Sequence, residues 1–397
     1  MRVLVLSWEY PPVVEGGLGR HVRKLSEQLA ADGVDVHVLT RGGGALSPDE
    51  DRHGVSVHRI KQPAFPLEID AFLRWVAEMN RHMAERGAEL CEQVGFDLVH
   101  SHDWLVADAA RQVSRDHRLP WLVTIHATEH GRHDGWVHRH PQSYIHAAER
   151  SMARRADHVI TCSAYMADHV SRVFDVPGGR ISTIANGVDQ LDLVSAPPDA
   201  LPALRARYAE PDERLVLMIG RLVHEKGFHL ALEALTPLVR EPGRVRFVVA
   251  GSGMAEPELT SQASTLGLDR HGSFIGWAGE DLVHSLYRVA DITIVPSLYE
   301  PFGLVALEAM ASGCVCVVAD TGGLREVVPE DGSVAVRFRS GDSAALTSVL
   351  RRLLADDALR AQISGRARSH ALQFSWPRSA GETMGIYQTL TESRVGL

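Results

Sequence analysis

Cysteine is scarce: Cys91, Cys162, Cys314 and Cys316 are the whole complement of a 397-residue chain. They are too few and too scattered for a disulfide framework. Cys162, Cys314 and Cys316 fall in apolar runs that read as strands, so buried thiols are expected. Long hydrophobic runs are missing as well. No stretch reaches the roughly 18 apolar residues of a spanning helix, and Met1–Ser7 reads as a strand without the apolar core of a secretory leader. A reduced, cytoplasmic protein is the expectation. Excess positive charge is also absent: 41 Lys plus Arg face 50 Asp plus Glu, for a formal net charge of −9. The two halves share this balance, so no basic arm or face marks a nucleic-acid-binding protein. Neither short repeats nor low-complexity tracts occur.

What the chain does have is rhythm. Short β-branched runs alternate with amphipathic stretches over most of its length. The first half offers strands at Val3–Leu6, Val34–Leu39, Val55–Ile60, Leu98–Ser101, Trp121–His126, His158–Cys162 and Ile181–Ile184. Helical stretches between them include Leu18–Ala31, Ile69–Gln93, Trp104–Arg115 and Tyr144–Arg155. The second half repeats the pattern with strands at Leu215–Ile219, Val245–Ala250, Ser273–Ile275, Ile292–Val295, Val315–Ala319 and Val334–Val336, and is helical after Asp342. Near-continuous apolar strands separated by helices predict parallel sheets covered on both faces, wound in Rossmann-like units. The Pro-rich segment Leu191–Pro211 reads as the boundary between two such series, and two units predict a cleft for a ligand.

Three loops carry residue types suited to chemistry. The first β/α turn ends in Gly16-Gly17-Leu18-Gly19 before a helix, where glycines let backbone N–H groups approach an anion; a plain tight turn would use them equally well. The second series opens with Gly220-Arg221-Leu222-Val223-His224-Glu225-Lys226-Gly227. There Arg221 offers a planar fork and Lys226 a point charge, a pair suited to a diphosphate, unless both are solvated surface charges. The most specific stretch is Pro296–Glu308. Glu300 lies in its loop and Glu308 about two turns along the following helix, so the two are separate tools rather than a carboxylate dyad. The N–H groups of Phe302, Gly303 and Leu304 would point at a bound group.

Together the Glu300–Glu308 pair with seven residues between, the Gly220–Gly227 loop and the Gly16–Gly19 loop resemble a family 4 glycosyltransferase. His102-Asp103-Trp104, Thr124–Glu129, Asn186-Gly187-Val188-Asp189 and Thr321-Gly322-Gly323-Leu324 extend the likeness from about Met1 to Gln388. Within the family the chain looks most like actinobacterial α-1,4-glucosyltransferases of glycogen and methylglucose lipopolysaccharide synthesis. In one respect it departs from starch- and glycogen-synthase-type enzymes: they carry Lys before the Gly-Gly pair, and here Glu15 cannot neutralise a diphosphate.

The resemblance implies an α/β fold of the GT-B type, with two Rossmann-like domains facing across a cleft. Residues 1–190 would bind the acceptor and 191–375 the nucleotide-sugar, while a terminal helix in 376–397 returns to the first domain. It implies a retaining hexosyltransferase that moves glucose from UDP- or ADP-glucose to a glucan or oligosaccharide hydroxyl, without a metal or other cofactor. Arg221 and Lys226 would hold the donor diphosphate, and Glu308 the ribose hydroxyls. Glu300 with the N–H groups of Phe302, Gly303 and Leu304 would grip the sugar. His126 would reach the sugar near the reacting carbon, with Asp103 and Glu129 on the acceptor side. Gly16 and Gly17 would let the first loop close over the phosphates, and domain closure would exclude water. Transfer to a lipid, a small sugar or a natural product is the alternative, ahead of an epimerase or a non-catalytic sugar-nucleotide sensor.

Other features read more plainly. His126, His130, His133, His138 and His140 have irregular spacing, so exposed histidines of an acceptor loop are expected rather than zinc ligands. Asp49-Glu50-Asp51 reads as a solvated loop. Trp75, Met79 and Met83 form one helix face for core packing.

Overall fold

A computed structural model describes residues 1–14, 16–44, 46–188, 197–241 and 245–395. Glu15, Asp189 and residues 191–196 of the expected boundary therefore lie outside the described residues. The chain forms two compact units. Unit 1 comprises residues 1–187 together with the chain from Trp376 onward; unit 2 comprises Val188–Ser375.

Unit 1 is built on β1 (Arg2–Leu6), β2 (Asp35–Gly42), β3 (Asp49–Arg52), β4 (Val55–Lys61), β5 (Leu98–His102), β6 (Trp121–Ile125), β7 (His158–Thr161) and β8 (Ile181–Thr183). Their order across the sheet is β3-β4-β2-β1-β5-β6-β7-β8. Every pairing is parallel except β3 with β4. The antiparallel edge corrects the reading of Asp49–Asp51 as a loop, though Asp49 and Asp51 are exposed as expected. Glu50 pairs with Arg59 at 2.6 Å, and Asp49 accepts from His58 at 2.6 Å and Arg86 at 2.9 Å. Partners on β4 and the Ile69–Gln93 helix thus hold a strand whose sequence carries no apolar alternation.

Along that helix Trp75, Met79 and Met83 are buried, as a face of period 3.6 requires. The expected Trp104–Arg115 helix is a 3-10 turn, Trp104–Val106, running into a helix over Ala107–His117. The terminal helix Trp376–Val395 belongs to unit 1. Trp376, Ala380 and Tyr387 enter the core formed by β1, β2 and the Gly17–Ala31 helix, and Ser379 donates to the Ala185 carbonyl at 2.6 Å.

Unit 2 holds β9 (Arg214–Ile219), β10 (Val245–Ala250), β11 (Gly272–Phe274), β12 (Ile292–Val295), β13 (Val315–Ala319) and β14 (Val336–Phe338), all parallel, in the order β11-β10-β9-β12-β13-β14. The last strand begins two residues later than its apolar run suggests. From Pro198 onward the Pro-rich stretch is not a free linker. Pro198–Ala200 and Leu201–Ala206 are helical turns with proline in their first positions, where a missing N–H costs nothing. Arg205 fastens them to unit 2, bonding Asp291 at 2.8 Å and the Glu213 carbonyl at 2.9 Å.

Candidate active site

Open parallel sheets bind ligands beyond the carboxyl ends of strands where the winding direction reverses. In unit 2 that point lies between β9 and β12. The loops leaving these strands are the two singled out from sequence: Gly220–Gly227 follows β9, and Pro296–Gly303 follows β12. They are tied together, since the N–H of Leu298 donates to the Glu225 carbonyl at 2.9 Å. Lys226 Nζ donates to Glu300 Oε2 at 2.7 Å, and Ser297 Oγ reaches the same oxygen at 3.1 Å. Lys24 and Lys61 are the only other lysines in the chain.

Glycine makes this approach possible. Gly227 has φ +68°, and a Cβ there would sit 2.0 Å from the Pro296 carbonyl oxygen. A Cβ on Gly323 would lie 2.2 Å from the Pro301 oxygen, and the Gly323 N–H donates to the Glu300 carbonyl at 2.9 Å. The Thr321–Leu324 stretch therefore clamps the Glu300 loop from behind.

Arg221 is half-exposed, 3.9 Å from Glu225. Phe302 is buried, and Gly303 precedes the helix Leu304–Ala311 without a side-chain cap. The first N–H groups of this helix have no intrahelical acceptor and carry its positive dipole end. Glu308, on the same helix, is buried and accepts from Tyr287 OH at 3.1 Å. The two carboxylates thus have separate partners. Ser297 and Tyr287 were not legible as site residues; a Tyr on an amphipathic helix and a Ser after a strand are too common to signal anything.

The corresponding point in unit 1 lies between β1 and β5. The loop after β1 leads to Gly16 and Gly17 at the start of the Gly17–Ala31 helix. Here the helix end already meets a carboxylate of its own: Gly16 N–H donates to Glu9 Oε2 at 3.1 Å, and Glu9 is buried. Asp103 follows β5 with φ +58°, a region costly to a non-glycine residue and frequent at functional sites. It is held by hydrogen bonds that include one from its N–H to the Thr124 carbonyl at 3.0 Å and one from the His126 N–H to Asp103 Oδ1 at 2.7 Å.

His126 does not join the other histidines of its stretch. His133 pairs with Glu129 at 3.1 Å, His140 with Asp70 at 2.6 Å, and His130 sits beside His146 and His169. His126 turns inward, its Nε2 3.1 Å from His102 Nδ1. His21 lies against it with ring centroids 4.5 Å apart, and His21 Nδ1 meets Asn186 Oδ1 at 2.7 Å. One ring nitrogen from each of His21, His102 and His126 lies within 4.8 Å of the others, the only such grouping among the described residues. Burial lowers the pKa of all three, that of His126 to about 4, so the rings are neutral near pH 7. In the sequence His21 carries no signal and His102 enters only through the His102-Asp103-Trp104 likeness, because helix and strand positions far apart in the chain converge only on folding.

Glu129 is buried, and its N–H donates to both oxygens of Glu149, at 2.9 and 3.0 Å. Burial raises the Glu149 pKa well above the usual carboxylate range. This residue was also missed; its signal is a carboxylate on the Ile145–Met152 face of a helix that should be apolar.

Two family descriptions match the two halves: Glycosyltransferase Family 4 over residues 15–190 and Glycosyl transferases group 1 over residues 202–370. The fold and these matches define a glycosyltransferase of the GT-B type. Glycogen synthase of Mycobacterium tuberculosis is 38% identical over 98% of this chain and 94% of its own. D-inositol 3-phosphate glycosyltransferase of Acidothermus cellulolyticus is 31% identical over 96% of this chain and 87% of its own. Among solved structures, sucrose-phosphate synthase of Thermosynechococcus elongatus superposes with a TM-score of 0.85 at 22% identity, covering 99% of both chains. The chain belongs to glycosyltransferase family 4. No helix among the described residues is long and apolar enough to cross a membrane.

Proposed function

We propose that the protein is a retaining hexosyltransferase that moves glucose from UDP- or ADP-glucose to a glucan or oligosaccharide hydroxyl, forming an α-linkage. The observation that carries this reading is the Lys226–Glu300 pair at the β9/β12 switch point, beside the uncapped helix end at Gly303. Lys226 and Arg221 supply the fixed positive charge that a departing nucleoside diphosphate needs. Glu300 and the N–H groups of Phe302, Gly303 and Leu304 hold the hexose hydroxyls, and Glu308, steadied by Tyr287, takes the ribose. From unit 1, His126 bonds the sugar near its anomeric carbon, while Asp103 and Glu129 serve the acceptor; the Gly16-Gly17 loop covers the phosphates.

The acceptor hydroxyl attacks the anomeric carbon on the face from which the diphosphate leaves. The C–O bond to the diphosphate breaks, and the acceptor proton passes to the leaving phosphate oxygen. No carboxylate nucleophile and no divalent cation are required. The likeness to a glycogen synthase supports a glucan acceptor; the likeness to an inositol-phosphate enzyme supports a small phosphorylated polyol as the second reading.

The test is nucleotide release from UDP-, ADP- and GDP-sugars crossed with maltooligosaccharides and with inositol phosphate, with and without EDTA. Product mass and anomeric configuration are read alongside. Elongation of the glucan with an α-linkage, indifferent to EDTA, is the expected result. Release only with inositol phosphate keeps the donor machinery and replaces the acceptor. Donor binding with no turnover would leave a sensor.

A further inference from the structure

The neutral histidine cluster of unit 1 contains more than sugar transfer uses. His21 comes from the helix after β1, His102 from the end of β5, and His126 from the loop after β6. The Asn186 amide oxygen accepts the His21 Nδ1 proton, which leaves the lone pair of Nε2 free. That Nε2 is buried and has no hydrogen-bond partner, and the same is true of His102 Nε2. A buried nitrogen left unpaired is costly, and two in one cluster call for an occupant.

A ring nitrogen from each of three histidines within 4.8 Å, with one ring oriented by an amide carbonyl, is the donor set and supporting shell of a three-histidine metal centre. Hard cations such as Mg2+ or Ca2+ prefer oxygen ligands, whereas imidazoles suit Zn2+ and its transition-metal neighbours.

We propose that His21, His102 and His126 bind a borderline divalent cation of the Zn2+ class. Because the reading above places His126 on the donor sugar, the bound ion excludes that sugar and inhibits transfer. Only this inhibition rests on that reading; the binding site does not.

The full-length chain, stripped with chelator and desalted, is titrated with Zn2+ by calorimetry and with Co2+ by visible absorption, with Mg2+ as control. A single Zn2+ per chain and the intense Co2+ bands of a low-coordinate nitrogen site are expected, with no Mg2+ binding. His21→Gln should weaken Zn2+ at least tenfold, and Asn186→Ala, which keeps every ligand, about tenfold. Because a core histidine variant can fail to fold, the Co2+ spectrum of the unaltered chain is decisive by itself: six-coordinate, weak bands overturn the site. Equal Zn2+ affinity in the unaltered chain and both folded variants also overturns it, assigning the ion to exposed histidines. In the transfer assay Zn2+ should inhibit and EDTA restore. A single tight Zn2+ without inhibition upholds the site and removes His126 from the sugar.

Discussion

The two units share an architecture and differ in what they place at the switch point. Unit 2 assembles permanent charge: Arg221, Lys226, Glu300 and Glu308, with partners at 2.7 Å for Lys226 and Glu300 and 3.1 Å for Glu308. Unit 1 assembles buried imidazoles, among them His21, His100, His102 and His126, whose pKa values burial pulls down. The helices at Gly16 and Gly303 both open on a glycine without a side-chain cap, but the N–H of Gly16 donates to the buried Glu9 carboxylate. The same fold can thus present a charged or a neutral polar surface. Fixed charge suits a diphosphate, and neutral hydrogen-bonding groups suit sugar hydroxyls, which would pay heavily to meet an unpaired buried ion.

Lys226→Ala should lower transfer by about 10³-fold or more, because the charge on the leaving group is lost, and should also lower the melting temperature, because the buried Glu300 carboxylate loses its cation. A folded Lys226→Ala enzyme with full turnover would show that unit 2 does not need its charge.

In unit 1, Asp103→Asn keeps an oxygen for the His126 N–H, whereas Asp103→Gly relieves the strained φ but removes that acceptor. Turnover should fall about 10²-fold in the Gly variant and clearly less in the Asn variant. The reverse order would mean that backbone strain, not the anchor, is what matters.

Gly227→Ala should destabilise unit 2 by about 3 kcal/mol or more, since its Cβ meets a carbonyl oxygen that cannot rotate away. Urea unfolding followed by intrinsic fluorescence measures this.

A pH titration of stability sharpens the contrast further. A histidine lowered from 6.5 to about 4, such as His169 or His126, binds its proton more readily when unfolded. Its contribution is fully present above pH 6.5 and fades as pH falls through the interval down to about 4. At pH 5 one such group has cost about 2 kcal/mol. Thermal melts at pH 7.5 and 5 should therefore show unit 1 losing stability first. Smallest of all, Tyr287→Phe removes one hydrogen bond to Glu308 and should weaken donor binding by about 1 kcal/mol.

Much of the architecture is legible in the chain because local signals agree with it. The run Ile292–Val295 is apolar throughout and becomes a central strand, and the Ile69–Gln93 periodicity yields a helix with those bounds. The Asp49–Arg52 edge strand escapes notice because ion pairs to β4 and a distant helix hold it, and no pattern in its own residues reports them. The loops of unit 2 are legible as sites because glycines and charges sit close together in sequence. The histidine cluster is not, since His21, His102 and Asn186 are far apart in the chain, and the short motifs around His102 and Asn186 do not report that they meet.

Sequence alone determined the alternation of strand and helix, the parallel sheets and the charged, glycine-bounded loops after β9 and β12, because these depend on local periodicity and on short-range spacing. Tertiary structure alone decided which groups share partners. It gave Glu300 to Lys226 and Glu308 to Tyr287, turned His126 away from its neighbours toward His21 and His102, and brought the last helix into the first unit. Such pairings join residues many positions apart, and only the packing of one element on another sets them.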